Sequence, residues 1–276
     1  MNKKTTGMRG SSCAVFIALM AASAILPGRI FAADAIDTLF SYTSFSGLAA
    51  CSPETVPAAS AEETYPLGVF DVKPDKIYYL SPSQVDMSQV PPAPAAGSAV
   101  DKEDLAGVLR WQAERTEAQC AAANAQASAT YDEFFGEVSP FGNPAPAEVE
   151  NIFKKVRTDT GGIVYSQKEK YKRPRPFLRD PAITPCLGRE NGYSYPSGHS
   201  ATARVFGLIL SDLVPASASR FMAYADQAAL NRVIGGVHHP SDIEAGKNLG
   251  DATYKALKQN RSFNTDMETL RRNLKH

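Results

Sequence analysis

The sequence has no excess of charge of either sign, because its 29 lysine and arginine residues equal its 29 aspartate and glutamate residues. Neutrality removes the global basic field that would favour nucleic acid or an acidic membrane as a partner, so an anion site has to be local. The sequence also lacks a Cys-x-x-Cys pair and a histidine-rich tract, so it does not indicate a structural zinc site. With 43% hydrophobic and 21% charged residues, the composition is that of an ordinary globular protein.

Long apolar runs are absent beyond the N-terminus, where nothing approaches the ~20 residues that a membrane-spanning helix requires. Residues 1–10 are basic, residues 13–26 form a short apolar run, and small residues follow. This order is typical of a cleaved signal peptide, here residues 1–35, and an N-terminal membrane anchor is the alternative. We therefore expect a periplasmic or secreted protein without a membrane span in its mature chain.

Cysteine is scarce, with four residues in the whole chain. Cleavage of the signal peptide would remove Cys13 and leave Cys51, Cys120 and Cys186. Three cysteines in an oxidising compartment allow at most one disulfide, and the sequence does not say which two would pair.

The alternation typical of strands is missing throughout the sequence. Prolines interrupt residues 36–100, which we interpret as an extended N-terminal arm, whereas apolar spacing in residues 101–276 is helical. A capping box of Ser241 and Glu244 predicts that a last long helix starts near Asp242. The predicted fold is an all-α, single-domain helical bundle. Its main helical segments are predicted at residues 101–127, 149–156, 200–214, 216–233 and 242–258.

Histidine is also rare, and three of the four histidines fall in two short segments, SYPSGHS (194–200) and RVIGGVHHPSD (232–242). In the first segment, Ser197 and Gly198 lie where a loop enters a helix. Free backbone amides and the positive end of the helix dipole can bind an anion there, and glycine permits close backbone approach. The alternative is an ordinary helix N-cap without a ligand.

In the second segment, Arg232, His238 and Asp242 are predicted to lie around a turn, because Pro240 interrupts any continuous helix. Asp242 can accept a hydrogen bond from one imidazole nitrogen of His238 and leave the other nitrogen free as a nucleophile or base. A capping aspartate beside a surface histidine would show the same spacing.

Basic residues are concentrated in KEKYKRPRP (168–176), which has five of them. Such a run is often a solvated face or a nucleic-acid contact. Nucleic acid is disfavoured here by the neutral overall charge and by the absence of interleaved stacking aromatics. We interpret the run as an oxyanion clamp, because arginine presents a planar fork to phosphate oxygens and lysine adds a point charge.

These patterns together resemble, in order and spacing, the three-part signature of the type 2 phosphatidic acid phosphatase superfamily. They are Lys168-x6-Arg175-Pro176, Pro196-Ser197-Gly198-His199 and Arg232-x5-His238-x3-Asp242. Residues 75–260 look most similar to the bacterial class A nonspecific acid phosphatases. The resemblance implies the helical bundle shared with the haloperoxidases and a metal-independent acid phosphatase of broad specificity that needs no cofactor. It further implies phosphate monoesters as substrates, namely nucleotides, sugar phosphates or aryl phosphates, and homo-oligomerisation as a family-level expectation.

The resemblance also implies a role for each motif residue. His238, oriented by Asp242, would attack phosphorus and form a phosphohistidine, and His199 would act as the general acid that protonates the leaving alkoxide. The remaining motif residues would bind the phosphate: Lys168, Arg175, Ser197, Gly198 and Arg232.

The sequence departs from the family at Asn231, where serine is usual, and at Ser200, where class A members usually have threonine. Neither departure removes a catalytic group, and Asn231 bears on substrate preference. Two other functions stay open. A vanadate-dependent haloperoxidase has the same kind of anion site, and a noncatalytic phosphate-binding protein would need the cations but no oriented nucleophile.

Overall fold

The computed structural model describes residues 65–275, and helices supply nearly all of the regular structure in that range. The predicted all-α fold is therefore confirmed. The predicted signal peptide and Cys51 lie outside the described residues, and the domain boundaries at residues 35 and 100 stay a prediction. The helices are α1 (Ala99–Glu114), α2 (Glu117–Asn124), α3 (Tyr131–Phe135), α4 (Ala147–Tyr171), α5 (Pro176–Arg179), α6 (Gly198–Leu213), α7 (Ala218–Ile234), α8 (Pro240–Leu257) and α9 (Arg261–Arg272). Among the described residues, no helix is long and apolar enough to cross a membrane.

The centre of the bundle is α6, which corresponds to the helical segment predicted at residues 200–214. It packs against α4, α7 and α8. Two glycines of α8 allow a close approach, because a Cβ atom at Gly246 would lie 2.6 Å from the Ser197 carbonyl oxygen and one at Gly250 would lie 2.8 Å from that of Ala201. This crossing brings the first turn of α6 next to the first turn of α8, where the Ser197 amide donates to the Asp242 carbonyl oxygen at 3.0 Å.

The prediction of one helix over residues 101–127 is wrong, because the chain forms α1 and α2 instead. Arg115 between them is extended, with φ −64° and ψ 144°. Thr116 then caps α2: its hydroxyl accepts from the Gln119 amide at 3.2 Å, and the Gln119 side chain accepts from the Thr116 amide at 2.8 Å. This reciprocal capping satisfies backbone donors that a continuous helix would have satisfied internally.

The start of α8 also differs from the prediction. The capping box pairs His239 with Asp242, rather than Ser241 with Glu244, and Pro240 is the first helical residue. Proline suits that position because its missing N–H would have had no helical partner. The helix ends at Leu257 as expected, but it is not the last one, since α9 follows.

In its described part, residues 65–98, the arm is irregular chain with several turns and one short 3₁₀ helix at Pro82–Gln84. Asp159 of α4 anchors it, because the Asp159 carboxylate accepts from the backbone amides of Tyr78 at 2.9 Å, Tyr79 at 2.6 Å and Leu80 at 3.0 Å. Hydrogen bonds to an ionised acceptor are stronger than neutral ones. The arm is therefore fixed to α4 at residues 78–80.

A disulfide joins Cys120 of α2 to Cys186, in the loop between α5 and α6. It resolves the pairing that the sequence left open. The bond restrains the loop that also carries Glu190, a residue of the site described below.

Candidate active site

The site forms where α4, α6, α7 and α8 end or begin. Lys168 lies in the last turn of α4, which stops because Lys172 adopts a left-handed conformation with φ 48° and prolines follow. The chain then turns back and brings Arg175 to within 3.3 Å of His238. Arg232 lies near the end of α7, and His238 lies in the turn before α8. All eight residues predicted for the site are buried.

The His238 ring lies between a carboxylate and a guanidinium. Its Nδ1 is 3.4 Å from Asp242 Oδ2, and its Nε2 is 3.3 Å from Arg175 Nη1. Because a guanidinium can only donate, Nε2 accepts and carries the lone pair. Burial lowers the pKa of His238 to about 3, helped by the charges of Arg175 and Lys168 and opposed by Asp242. His238 is therefore neutral at mildly acid pH, with a free electron pair on Nε2.

Asp242 does more than orient His238. Its Oδ2 accepts from the His239 amide at 2.8 Å and from His239 Nδ1 at 2.9 Å, both closer than His238 Nδ1. Burial alone would raise the pKa of Asp242, but His239, His238 and Arg173 hold it well below its usual range. The carboxylate is thus ionised and shared between two histidines.

Arg173 holds the other oxygen of Asp242, at 2.7 Å, and also pairs with Asp101 at 2.9 Å and Asp104 at 2.7 Å. No sequence pattern distinguishes Arg173, which is one of five basic residues in KEKYKRPRP. Burial distinguishes it, since Arg173 is 6% exposed whereas Lys170 and Lys172 are on the surface. Arg173 therefore links α1 to the carboxylate beside His238.

His199 is buried in the first turn of α6. Its Nε2 is 3.1 Å from the Ala127 carbonyl oxygen, so Nε2 carries a proton and donates it. Nδ1 is then the nitrogen that is free to gain or lose a proton. Burial lowers the pKa of His199 well below its ordinary value, with further contributions from Arg232 and His238. His199 is neutral in this state of the protein.

Ser197 serves as the N-cap of α6, and its hydroxyl accepts from the Ser200 amide at 3.3 Å. The predicted N-cap at Ser197 is therefore confirmed. The helix begins at Gly198, so the first amides of α6 have no partner inside the helix and remain available to an anion.

Two carboxylates outside the three sequence motifs contact the three cations. Asp71 of the arm accepts from Lys168 Nζ and from Arg175 Nη2, at 2.7 Å each. Glu190 lies 2.9 Å from Arg175 Nη2 and 3.6 Å from Arg232 Nη2.

Burial and neighbouring charges shift the pKa values of two of the three cations. Burial and the charge of Arg175 lower the pKa of Lys168 to about 8, although Asp71 opposes the shift. In the same way, burial lowers the pKa of Arg232 to about 10, and Glu190 opposes the shift. Both side chains remain charged at acid pH, so they can neutralise an oxyanion.

The departure at Asn231 has a clear structural setting. Its side-chain Nδ2 donates to Gln126 Oε1 at 2.8 Å, and its side-chain Oδ1 accepts from Gln227 Nε2 at 2.8 Å. Asn231 thus connects α7 to the residues after α2. Ser200, the other departure, donates to the Ile243 carbonyl oxygen at 2.6 Å and so ties α6 to α8.

Comparison with known proteins agrees with this arrangement. The PAP2 superfamily matches residues 159–265 of the chain. A non-specific acid phosphatase from Providencia stuartii is 30% identical over 212 residues, which cover 71% of this chain and 84% of that protein. An acid phosphatase from Zymomonas mobilis is 25% identical over 244 residues, covering 83% and 86%. An apo-type bacterial vanadium-dependent chloroperoxidase superposes with a TM-score of 0.50 at 11% identity, covering 67% of this chain and 55% of that one, which is a likeness of fold alone.

The chain therefore belongs to the PAP2 superfamily, and the resemblance drawn from the three motifs is confirmed. Within that superfamily it is an acid phosphatase, like the two curated relatives that align with most of its length.

Proposed function

We propose that this acid phosphatase hydrolyses phosphate monoesters of broad range through a phosphohistidine on His238. The observation that carries the proposal is the state of that ring: a neutral imidazole, with Nδ1 toward an ionised Asp242 and the Nε2 lone pair beside Arg175. A buried, unprotonated nitrogen next to an anion-binding arginine is suited to in-line attack on phosphorus. The relatives' names support the substrate class without identifying one monoester.

In the first step, the Nε2 electron pair of His238 forms a bond to phosphorus, and the bond from phosphorus to the ester oxygen breaks. Lys168, Arg175 and Arg232 would offset the charge on the phosphoryl oxygens, while Ser197 and the Gly198 amide would donate hydrogen bonds to them. The proton on Nδ1 of His199 would pass to the leaving oxygen and release an alcohol.

In the second step, His199 Nδ1 takes a proton from water as the water oxygen attacks phosphorus. The bond from phosphorus to His238 Nε2 breaks, its electrons return to the ring, and inorganic phosphate is released. His199 has to be protonated for the first step, yet its pKa is lowered in this state. A bound phosphate anion would raise that pKa, and low pH would favour the protonated form.

The test is hydrolysis of p-nitrophenyl phosphate and of an alkyl phosphate at acid to neutral pH with excess chelator. His238→Ala is expected to abolish both activities. In single-turnover measurements, His199→Ala is expected to slow phosphoenzyme formation from the alkyl ester far more than from p-nitrophenyl phosphate, because p-nitrophenolate leaves without a proton. Rapid quenching into base should trap a base-stable phosphoenzyme that His238→Ala does not form. Full activity of His238→Ala, or equal losses in the rate of phosphoenzyme formation from the two esters in His199→Ala, would contradict these roles.

The alternatives have their own outcomes in the same study. Oxidation of bromide by peroxide in the presence of vanadate, without ester hydrolysis, would favour a haloperoxidase. Binding of inorganic phosphate without any turnover would favour a noncatalytic phosphate-binding protein. Export of the mature chain and its assembly into homo-oligomers are further proposals, the first supported by the sequence of residues 1–35 and the second by the family resemblance.

A further inference from the structure

The arm crosses the phosphate-binding residues with a stretch that we name the covering segment, residues 65–71. The segment is fastened to the loop before α6 by backbone contacts. The Asn191 amide donates to the Pro66 carbonyl oxygen at 2.8 Å, and Leu67 forms an isolated parallel bridge with Asn191. A turn follows, in which the Asp71 amide donates to the Gly68 carbonyl oxygen at 2.9 Å. This turn places the Asp71 side chain among the cations.

The Asp71 carboxylate uses the atoms that a phosphate would need. Its two oxygens lie 2.7 Å from Lys168 Nζ and 2.7 Å from Arg175 Nη2, and the side chain is 3% exposed. Arg175 Nη2 has two hydrogens and lies 2.7 Å from Asp71 Oδ2 and 2.9 Å from Glu190 Oε2, so a phosphoryl oxygen bound to it would have to displace one of these carboxylates. The Asp71 carboxylate thus occupies a position where the oxyanion of a substrate is proposed to bind.

Glycines make room for this arrangement. A Cβ atom at Gly198 would lie 2.3 Å from the Phe70 ring, and one at Gly192, where φ is +107°, would lie 2.3 Å from Asp71 Cγ. Phe70 also meets the His199 ring edge-on, with centroids 5.3 Å apart. The covering segment therefore lies against the helix N-terminus and the general acid, as well as against the cations.

The segment is buried at Phe70 but faces solvent at other residues. Leu67 and Val69 are exposed, at 59% and 46%. A cavity of about 410 Å³ lies on one side of the segment and includes Leu67, Asp71 and Lys168 in its lining. A second cavity of about 390 Å³ is lined in part by Leu67, Glu190 and Arg232. Outward movement of the segment would join these spaces over the cations while the anchor at residues 78–80 stayed in place.

Resting on the function proposed above, we propose that Asp71 sets the enzyme's affinity for phosphate, as an internal anion that substrate and product must displace. Exchange of one carboxylate for one phosphate oxyanion keeps the cations paired in both states. Glu190 can remain with Arg232 during the exchange. The apparent dissociation constant for phosphate is then the intrinsic one divided by the fraction of molecules in which Asp71 has left.

Protonation is not expected to open the site. Burial would raise the pKa of Asp71, but Lys168, Arg175 and His238 lower it below its ordinary value. The carboxylate therefore remains ionised at mildly acid pH, and displacement depends on the concentration of the competing anion.

The experiment compares the unmodified chain with Asp71→Asn and with Asp75→Asn, an exposed aspartate of the same arm as the control. Calorimetric titration with inorganic phosphate is expected to show at least about tenfold tighter binding in Asp71→Asn, since the closed fraction no longer reduces the apparent affinity. The KM for p-nitrophenyl phosphate should fall in parallel, with kcat changed much less. Asp75→Asn should match the unmodified chain in both measurements.

Unchanged or weaker phosphate binding in Asp71→Asn would overturn the proposal, because the carboxylate would then only support the cations. Hydrogen exchange gives a second measurement on the unmodified chain. Saturating phosphate should speed exchange at the Asp71 amide, whereas slower exchange there would also overturn the proposal. If phosphate binds more tightly to the variant but no ester is hydrolysed by either chain, the proposed function fails and the competition stands.

Discussion

Replacement of Arg173 by methionine tests the ion-pair network behind His238. In the native cluster, Arg173 and Arg179 face the carboxylates of Asp101, Asp104 and Asp242. Methionine would keep the length of the side chain but leave one arginine against three buried carboxylates. Removal of one partner from a buried ion pair costs about 3–5 kcal/mol, so we expect the free energy of unfolding in urea to fall by about that amount.

The activity of Arg173→Met should fall as well, mainly in kcat. Arg173 holds Asp242 Oδ1 at 2.7 Å, and without it that carboxylate can turn away from His238 or take up a proton. Because loss of the guanidinium raises the pKa of Asp242, the variant should lose activity at a higher pH than the native enzyme as the pH is lowered. Arg173→Lys, which keeps the charge, should recover part of kcat.

A double variant separates stability from catalysis. Asp104→Asn removes one carboxylate, so Arg173→Met/Asp104→Asn has the same net charge in the cluster as the native protein. We expect a coupling energy of at least about 1 kcal/mol in the free energy of unfolding. We expect kcat to stay low, because no guanidinium contacts Asp242 in the double variant. Additive losses of stability would show that the carboxylates do not share the charge of Arg173. A kcat restored together with stability would show that Arg173 has no positioning role.

Two further predictions concern the disulfide and the pH dependence. Cys120→Ser/Cys186→Ser removes a disulfide between residues 66 apart in sequence. Because the disulfide lowers the chain entropy of the unfolded state, its loss is expected to reduce the free energy of unfolding by about 4 kcal/mol. A urea midpoint equal to that of the oxidised native protein would refute this expectation. The lowered pKa of His199 in the free enzyme predicts that kcat/KM for an alkyl phosphate, whose leaving alkoxide needs a proton, falls at a lower pH than kcat as the pH is raised. After correction for the substrate's own ionisation, proton donation by His199 would be contradicted if kcat fell at a lower pH than kcat/KM.

The site could be predicted from the sequence as far as its residues lie in short patterns at helix ends. Lys168 and Arg175 lie in one short run whose prolines, Pro174 and Pro176, mark where α4 stops, and the glycine pair 235–236 after Arg232 marks where α7 stops. Asp71 offers no such mark, because it meets Lys168 across 97 residues of sequence and within an arm of irregular structure. Its role depends on the path of the arm, which no local pattern specifies.

The helix boundaries that were predicted wrongly have a different cause, since their capping residues are visible in the sequence. Thr116 and Gln119 form a capping box inside a stretch of continuous helical spacing. The apolar periodicity predicts one helix across this stretch, whereas the capping box predicts a new helix start at Glu117. At α8, two capping boxes overlap, and Pro240 decides between them because it favours the first helical position. Local hydrogen bonding therefore decided both boundaries.

The start of α8 also explains why stability and catalysis are coupled at Asp242. As the third residue of the helix, its carboxylate accepts from the His239 amide and so completes the cap, while the same oxygen lies 3.4 Å from His238 Nδ1. A change at Asp242 removes a cap, an ion pair with Arg173 and the partner of the nucleophile together. Asp71 has no comparable place in a helix cap, so Asp71→Asn should change phosphate affinity with a smaller loss of stability than Asp242→Asn.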